Sequence, residues 1–330
     1  MTVVSVLLAG SLVAVGWYRA ALQPLPKGDP FYVRFESKRS FDDVAQELVE
    51  KGVVRDALAL KIYAILQRKS RGIEVGTFQF WPGMSPDETL HALRFPVEQQ
   101  VRIPEGFWIA RVAPILEKAE VCTAKEYIAA AHDPSRFKDV VSFDLPEDSL
   151  EGYLYPDTYD LPPMLGADEV IKRQLRAFEE KVWKPAIAEG VTPDQMRDKI
   201  VVASMIELEA AVDEERPVIA GVIKNRIDNG DKLQIDATVL YALQEWKELA
   251  PGEVDKVESP YNTYLHTGLP PGPIGSPAWR SVIAAIHPEE NGYLYYVARP
   301  NHHHYFSKTY QEHRRNINKA HKEYEQRQDA

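Results

Sequence analysis

The run Ile200-Val-Val-Ala-Ser-Met-Ile-Glu-Leu-Glu-Ala-Ala-Val212 is apolar on nearly every side, yet it holds two carboxylates, Glu207 and Glu209. A helix that is hydrophobic all round has to be buried, so this chain must build a core thick enough to surround one. Thr192-Pro193 supplies an N-cap and a proline at the first helical position, and the spacing predicts a helix over 193–212. At about 100° per residue the two carboxylates point to roughly opposite faces, so one groove does not receive both. Glu209 lies over Val202, Met205, Ile206 and Val212, a bulky apolar stripe, whereas Glu207 lies with Ala203, Ala210, Ala211 and Glu214. Loss of water disfavours the charged form of a carboxylate, which makes Glu209 the candidate general acid. A structural glutamate satisfied by arginine or backbone is the competing reading for either residue. For Glu207 it is the better one, as a partner of a later arginine or a residue that orients the site.

A second constraint lies downstream. Ser259-Pro-Tyr-Asn-Thr-Tyr264 leads into Gly268-Leu-Pro-Pro-Gly-Pro-Ile274, with Pro277 following. Proline fixes φ and removes a backbone donor, so this segment is neither helix nor central strand. It reads as a rigid loop that displays polar side chains, the usual setting of a site. Gln234-Ile-Asp236-Ala-Thr238 offers an amide, a carboxylate and a hydroxyl at alternating positions. Tyr241, Tyr261, Asn262 and Tyr264 add the hydrogen-bonding and stacking surface that a ring-shaped polar ligand such as a sugar needs. Asn225, in the Asn225-Arg226 pair that closes a helix, is a further candidate substrate-binding or supporting residue; it also reads as a helix terminus, and Asp236 as a turn residue.

The chain's 330 residues leave room for roughly two or three domains. A net charge of −10 without a basic stretch argues against a nucleic-acid partner. The single cysteine, Cys122, excludes an intramolecular disulfide and any zinc site built on cysteines; it reads as a small core residue near a helix start. Asn301-His-His-His304 offers imidazoles, but neighbours on a strand face opposite ways and no H-E-x-x-H helix exists. No metal and no cofactor is expected, and His304 reads as structural or substrate-side.

The uncharged run Val3–Trp17 predicts a transmembrane anchor over 1–23, with Trp17 and Tyr18 at the interface. A cleaved signal peptide competes, but no basic region precedes the run and no small-x-small site follows it. Residues 30–100 read as a small α+β module: a strand at 31–35, a helix at 41–49 between Ser40 and Gly52, a helix at 58–66, a strand at 76–81 and a helix starting after Ser85. Beyond it come a strand at 100–103, a helical region at 108–131 and a polar loop at 133–149. Helices follow at 167–188, 193–212, 216–229 and 277–287, with a strand at 292–297. The fold class is α+β.

Five separated segments carry a resemblance. They are Glu151-Gly-Tyr-Leu-Tyr-Pro-Asp-Thr-Tyr159, Ala203–Glu209, Asn225-Arg226 with Leu233–Thr238, Ser259–Ile274, and His304-Tyr-Phe-Ser307 with Glu312-His313. Over most of its length the chain resembles the YceG-like family of endolytic murein (peptidoglycan) transglycosylases. The resemblance implies an N-terminal membrane helix, a LysM-like domain at 30–100, a connecting helical region at 101–150 and a catalytic domain at 151–330. It places the protein as a single-pass protein of the cytoplasmic membrane, its catalytic domain on the outer side. Such enzymes cut nascent glycan strands between N-acetylmuramic acid and N-acetylglucosamine and leave 1,6-anhydro-muramyl ends. The second glutamate of the family's E-x-E pair maps onto Glu209, acting alone as acid and then base. Asp157, Glu207, Gln234, Asp236, Asn262 and Tyr264 would position sugar or shape the acid's surroundings, with Asn262, Gln234 and Tyr264 foremost. Cell-wall synthesis proteins are the implied protein partners. Ala210 stands where many members carry threonine, and Ala237 where proline is usual. Two other readings compete: a non-catalytic wall-binding scaffold, and a two-carboxylate glycoside hydrolase with Asp236 as the partner.

Overall fold

Short oxygen-bearing side chains start the helices of the first module. Ser40 accepts from the Asp43 N–H at 3.2 Å, Asp56 accepts from the Ala59 N–H at 2.9 Å, and Ser85 with Glu88 forms a reciprocal capping box. A computed structural model describes residues 2–328. It divides into two units, one of Met1–Gln100 with Ala119–Cys122 and Asp160–Gly166, the other of Val101–Lys118, Thr123–Tyr159 and Ala167–Ala330.

The first unit runs α1 (Thr2–Ala21), β1 (Phe31–Phe35), α2 (Phe41–Glu50), α3 (Ala57–Leu66), β2 (Gly76–Phe80) and α4 (Pro86–Ala92). β1 and β2 pair antiparallel, with Phe31 opposite Phe80 and Phe35 opposite Gly76. The alternate residues Val33 and Phe35 join Phe78, Phe80, Val44, Leu48 and Leu60 in one buried cluster. Gly52 follows α2 with φ +70°, the left-handed turn that ends many helices. Strand and helix limits fall within a residue or two of those expected. The anchor expected over 1–23 fares differently. α1 forms, but among the described residues no helix is long and apolar enough to cross a membrane. Gly10, Ser11 and Gly16 dilute its apolar run and Arg19 sits in its last turn; Met1 lies outside the described residues. Cys122, expected in the core, is only partly buried.

The second unit carries β3 (Gln100–Arg102), α5 (Ile109–Lys118), α6 (Ala124–Ala131), β4 (Thr158–Asp160), α7 (Ala167–Phe178), α8 (Lys184–Ala188) and α9 (Pro193–Glu209). It continues through α10 (Arg216–Asn229), α11 (Asp236–Leu243), α12 (Trp279–Ile286), β5 (Tyr295–Ala298), β6 (His304–Ser307) and α13 (Tyr310–Gln328). The single helix expected at 167–188 is two helices joined by a π-helical turn over Glu179–Trp183. Pro185 explains the change, because it lacks the N–H that an unbroken ladder needs there.

α9 packs against α10, α11 and α12, and Met196, Ile200, Ala203, Met205 and Ile206 are buried. It stops at Glu209 rather than at 212: Ala210 is already extended, with φ −80° and ψ 114°. The chain turns there because residues 213–216 have to return to Glu207, as described below. The proline-rich loop is seated on the same helix. The Ile274 N–H donates to Ser204 Oγ at 3.1 Å, and Arg197 donates to the Pro271 carbonyl at 2.6 Å. Pro273 presses on Gly152, whose φ of +82° and lack of a side chain the approach requires: a Cβ there would fall 2.5 Å from Pro273.

Candidate active site

Glu209 is the last residue of α9 and is neither fully buried nor exposed. Its Oε2 accepts a hydrogen bond from the Tyr296 hydroxyl at 2.8 Å. Tyr296 comes from β5, where antiparallel pairing sets it opposite Phe306. Burial pushes the Glu209 carboxyl up to about 7; the Tyr296 hydrogen bond works against that rise and the negative charge of Asp236 adds to it. The end of α9 acts the same way as Asp236, since an anion is disfavoured at a helix C-terminus. Burial also holds the Tyr296 phenol well above its ordinary value, so it stays a donor at neutral pH.

Asp236 opens α11 and is exposed. The Tyr264 hydroxyl donates to Asp236 Oδ1 at 2.5 Å, which joins two residues singled out in separate motifs. Arg226, near the end of α10, ties the neighbourhood together. Its guanidinium donates to the carbonyls of Leu294 at 2.5 Å and Leu233 at 2.6 Å, and more weakly to Gln234 Oε1 at 3.5 Å. Gln234 is exposed and takes φ +54°. Glu209, Tyr296, Asp236, Tyr264, Arg226 and Gln234 thus form one continuous set of contacts and charges, drawn from α9, α10, α11, β5 and two loops.

Glu207 faces the other way, as its position on the helix requires. Its carboxylate meets Arg216 at 3.3 Å and Arg280 at 3.5 Å, and accepts from the Ala278 N–H at 2.9 Å and Ser281 Oγ at 2.8 Å. With its side chain 4% exposed, it is a clamp between α9, α10 and α12 and no ligand reaches it.

Three of the expected substrate-binding or supporting residues are engaged in internal hydrogen bonds or ion pairs. Asn262 is fully buried; its amide donates to the carbonyls of Val254 at 2.7 Å and Val257 at 2.9 Å, and its Oδ1 accepts from the Tyr264 N–H. Nothing of it is left for a ligand. Asn225 donates to the Tyr293 carbonyl at 2.9 Å and to Asn291, fixing the approach to β5. Asp157 pairs with Lys181 and the Thr158 N–H, and no contact joins it to the Glu209 set. Thr238 is also turned inward, because residues 236–243 form a helix rather than an alternating strand. Among the described residues no group of three His, Cys, Asp or Glu is placed to hold a metal; His303 and His304 both face Glu215.

Sequence reasoning missed two residues. Tyr296 lies 87 residues from its partner, and only the alternation of a strand over 292–297 hinted at a shared face. Glu151 stands in a quoted motif without a role. It is 6% exposed, and burial pushes it up to about 8 despite the hydrogen bond that one oxygen accepts from the Ile109 N–H.

The sequence pattern described as the YceG-like family matches residues 33–319. The chain belongs to the YceG-like family. The match takes in both units and every member of the Glu209 set. An endolytic murein transglycosylase of Bacillus subtilis (strain 168) is 30% identical over 323 residues, covering 93% of this chain and 88% of that protein. One from Streptococcus pneumoniae serotype 2 (strain D39) is 26% identical; the alignment takes in 95% of this chain but spans only 63% of that relative's length. Among solved structures, a yceG-like protein from Listeria monocytogenes superposes with a TM-score of 0.58 at 29% identity, covering 87% of this chain and 99% of that one. The α+β arrangement of helices with small two-stranded sheets is therefore a YceG-like fold.

Proposed function

We propose that this YceG-like protein is an endolytic lytic transglycosylase of peptidoglycan, and that Glu209 alone serves as its acid and base. One observation carries the reading: a carboxyl pushed up to about 7 by burial, hydrogen-bonded on one oxygen and still partly open to solvent. A group of that kind is protonated often enough near neutral pH to act as a general acid. The names of the bacterial relatives supply the substrate class, murein.

In the proposed cycle the Glu209 hydroxyl passes its proton to the glycosidic oxygen between N-acetylmuramic acid and N-acetylglucosamine. The C1–O bond breaks and its electron pair leaves with that oxygen. Glu209, now a carboxylate, takes the proton of the C6 hydroxyl as O6 bonds to C1. A 1,6-anhydro ring closes, the acid is restored and no water is consumed. Gln234, Asp236 and Tyr264, which are exposed or partly so, are the residues proposed to hold the sugar.

The electrostatic reach of Asp236 on Glu209 favours one second reading, hydrolysis by a carboxylate pair. Digestion of uncrosslinked glycan strands followed by mass spectrometry separates the two, because a hydrolysed end is one water heavier. Glu209→Gln lowers cleavage by about 10²–10⁴-fold with the fold intact; cleavage at the wild-type rate would return the protein to a non-catalytic, wall-binding role. We place the catalytic unit on the outer side of the cytoplasmic membrane, where its substrate lies. α1 is the proposed tether, supported by the exposed apolar side chains Leu7, Leu8, Leu12 and Val13. The βααβ order of the first module supports reading it as LysM-like. Cell fractionation of the intact chain, with and without residues 2–21, tests the tether.

A further inference from the structure

The motif His304-Tyr-Phe-Ser307 takes no part in the acid–base cycle, yet it builds β6 directly beside the acid's hydrogen-bond partner. Antiparallel register sets His304 opposite Ala298 and Phe306 opposite Tyr296, so His304 and Tyr296 are diagonal neighbours on one face of the hairpin. The imidazole meets the Tyr296 ring edge-on, with centroids 5.4 Å apart and planes at 85°. His304 is itself held at two points by Glu215: its N–H donates to Oε1 at 2.9 Å, and its Nδ1 lies 2.6 Å from Oε2. A carboxylate only accepts, so Nδ1 carries the hydrogen. The histidine and glutamate side chains are 7% and 9% exposed. Backbone, ring and tautomer of His304 are therefore fixed, and with them one wall of the Tyr296 side chain.

We propose that Tyr296, braced by the buried Glu215–His304 pair, is a positioning residue that decides which oxygen of Glu209 carries the transferable proton. The inference rests on Glu209 being the acid. A phenol that donates to Oε2 leaves Oε1 as the oxygen that bears the acid proton. Without that bond the proton is free to sit on either oxygen, and the carboxyl is free to turn away from the bond it has to protonate. The same bond stabilises the anion formed after the first transfer. The other groups acting on the carboxyl are Asp236 from the start of α11 and, through their effect on the tyrosines, Tyr264 from the loop and Arg226 from α10. Glu207, on the acid's own helix, is spent on Arg216 and Arg280. With the Tyr296 hydroxyl gone, Asp236 is unopposed and Glu209 holds its proton to higher pH.

Tyr296→Phe in the full chain tests this, because it keeps the ring and its packing. Carboxyl titration followed by ¹³C NMR on glutamate-labelled protein, with Glu209→Gln assigning the signal, reads the acid without any glycan present. The expected result is a Glu209 midpoint higher by on the order of one pH unit. The alkaline limb of kcat/KM moves up with it, kcat falls by about 10–100-fold and KM changes by less than about twofold. Glu215→Gln, which loosens His304 and leaves the phenol in place, lowers kcat by about tenfold at unchanged KM. An unmoved Glu209 midpoint in Tyr296→Phe overturns the inference while leaving Glu209 as the acid. Wild-type cleavage by Glu209→Gln would instead remove the reading on which it rests.

Discussion

Glu207 and Glu209 stand two residues apart on one helix and are set in opposite surroundings. Glu207 is met by two guanidinium groups and two hydrogen-bond donors; Glu209 is met by one phenol and the charge of Asp236. The pH dependence of the proposed reaction follows from the second environment. An acid has to start protonated, so kcat/KM is flat below the carboxyl's pKa and falls as pH rises through about 7. A pH profile on uncrosslinked strands checks it; a limb near 4.5, the ordinary glutamate value, would mean that burial does not act on the working enzyme. That the two glutamates face different surroundings was legible from helical spacing alone, because rotation about a helix axis is a local property. The partner of Glu209 was not legible, because nothing local relates position 209 to position 296. Asn262 misled for a chemical reason: an amide suits a sugar and two backbone carbonyls equally well, and only burial tells them apart.

At the scale of elements, capping chemistry and apolar periodicity carried most of the fold. The expected helices after Ser40, Ser85 and Thr192 begin where those residues place them. Four elements go beyond the sequence expectations: β4, α11, β6 and α13. α13 is polar on most sides, and among the described residues Ala320 is its only side chain in the core, so it has no periodic apolar signal to read. The end of α9 was overshot because Ala210 and Ala211 favour helix, and tertiary demand overrode them. Arg216 has to reach Glu207, and a helix continued to 212 would carry the chain away from it. The loop over 254–264 depends on Asn262 in the same tertiary manner. Asn262→Ala leaves two partly buried carbonyls without donors and is expected to lower stability by about 1–3 kcal/mol. Urea unfolding measures this, and a loss below about 0.5 kcal/mol would mean that the loop is held elsewhere.

Among the described residues of the whole molecule two carboxyls have raised pKa values, Glu209 at about 7 and Glu151 at about 8, against an ordinary 4.5. Each binds its proton more tightly folded than unfolded, so their contribution to stability is complete below pH 4.5 and is lost as pH climbs through 7 and 8. The loss is up to about 1.4 kcal/mol per pH unit for each group. Glu151→Gln keeps an acceptor for the Ile109 N–H and cannot ionise. It is expected to melt close to wild type at pH 5 and about 2–5 °C higher at pH 8, by calorimetry. A difference that does not grow with pH would show that the Glu151 carboxyl ionises without cost. In the proposed cycle the halt of α9 at Glu209 bears on more than the first proton transfer. A spent donor stranded at the negative pole of its own helix is a stronger base than an ordinary carboxylate, so the feature that primes the bond cleavage also favours ring closure. One side chain can then reset itself on its own product, and turnover needs no recharging from solvent.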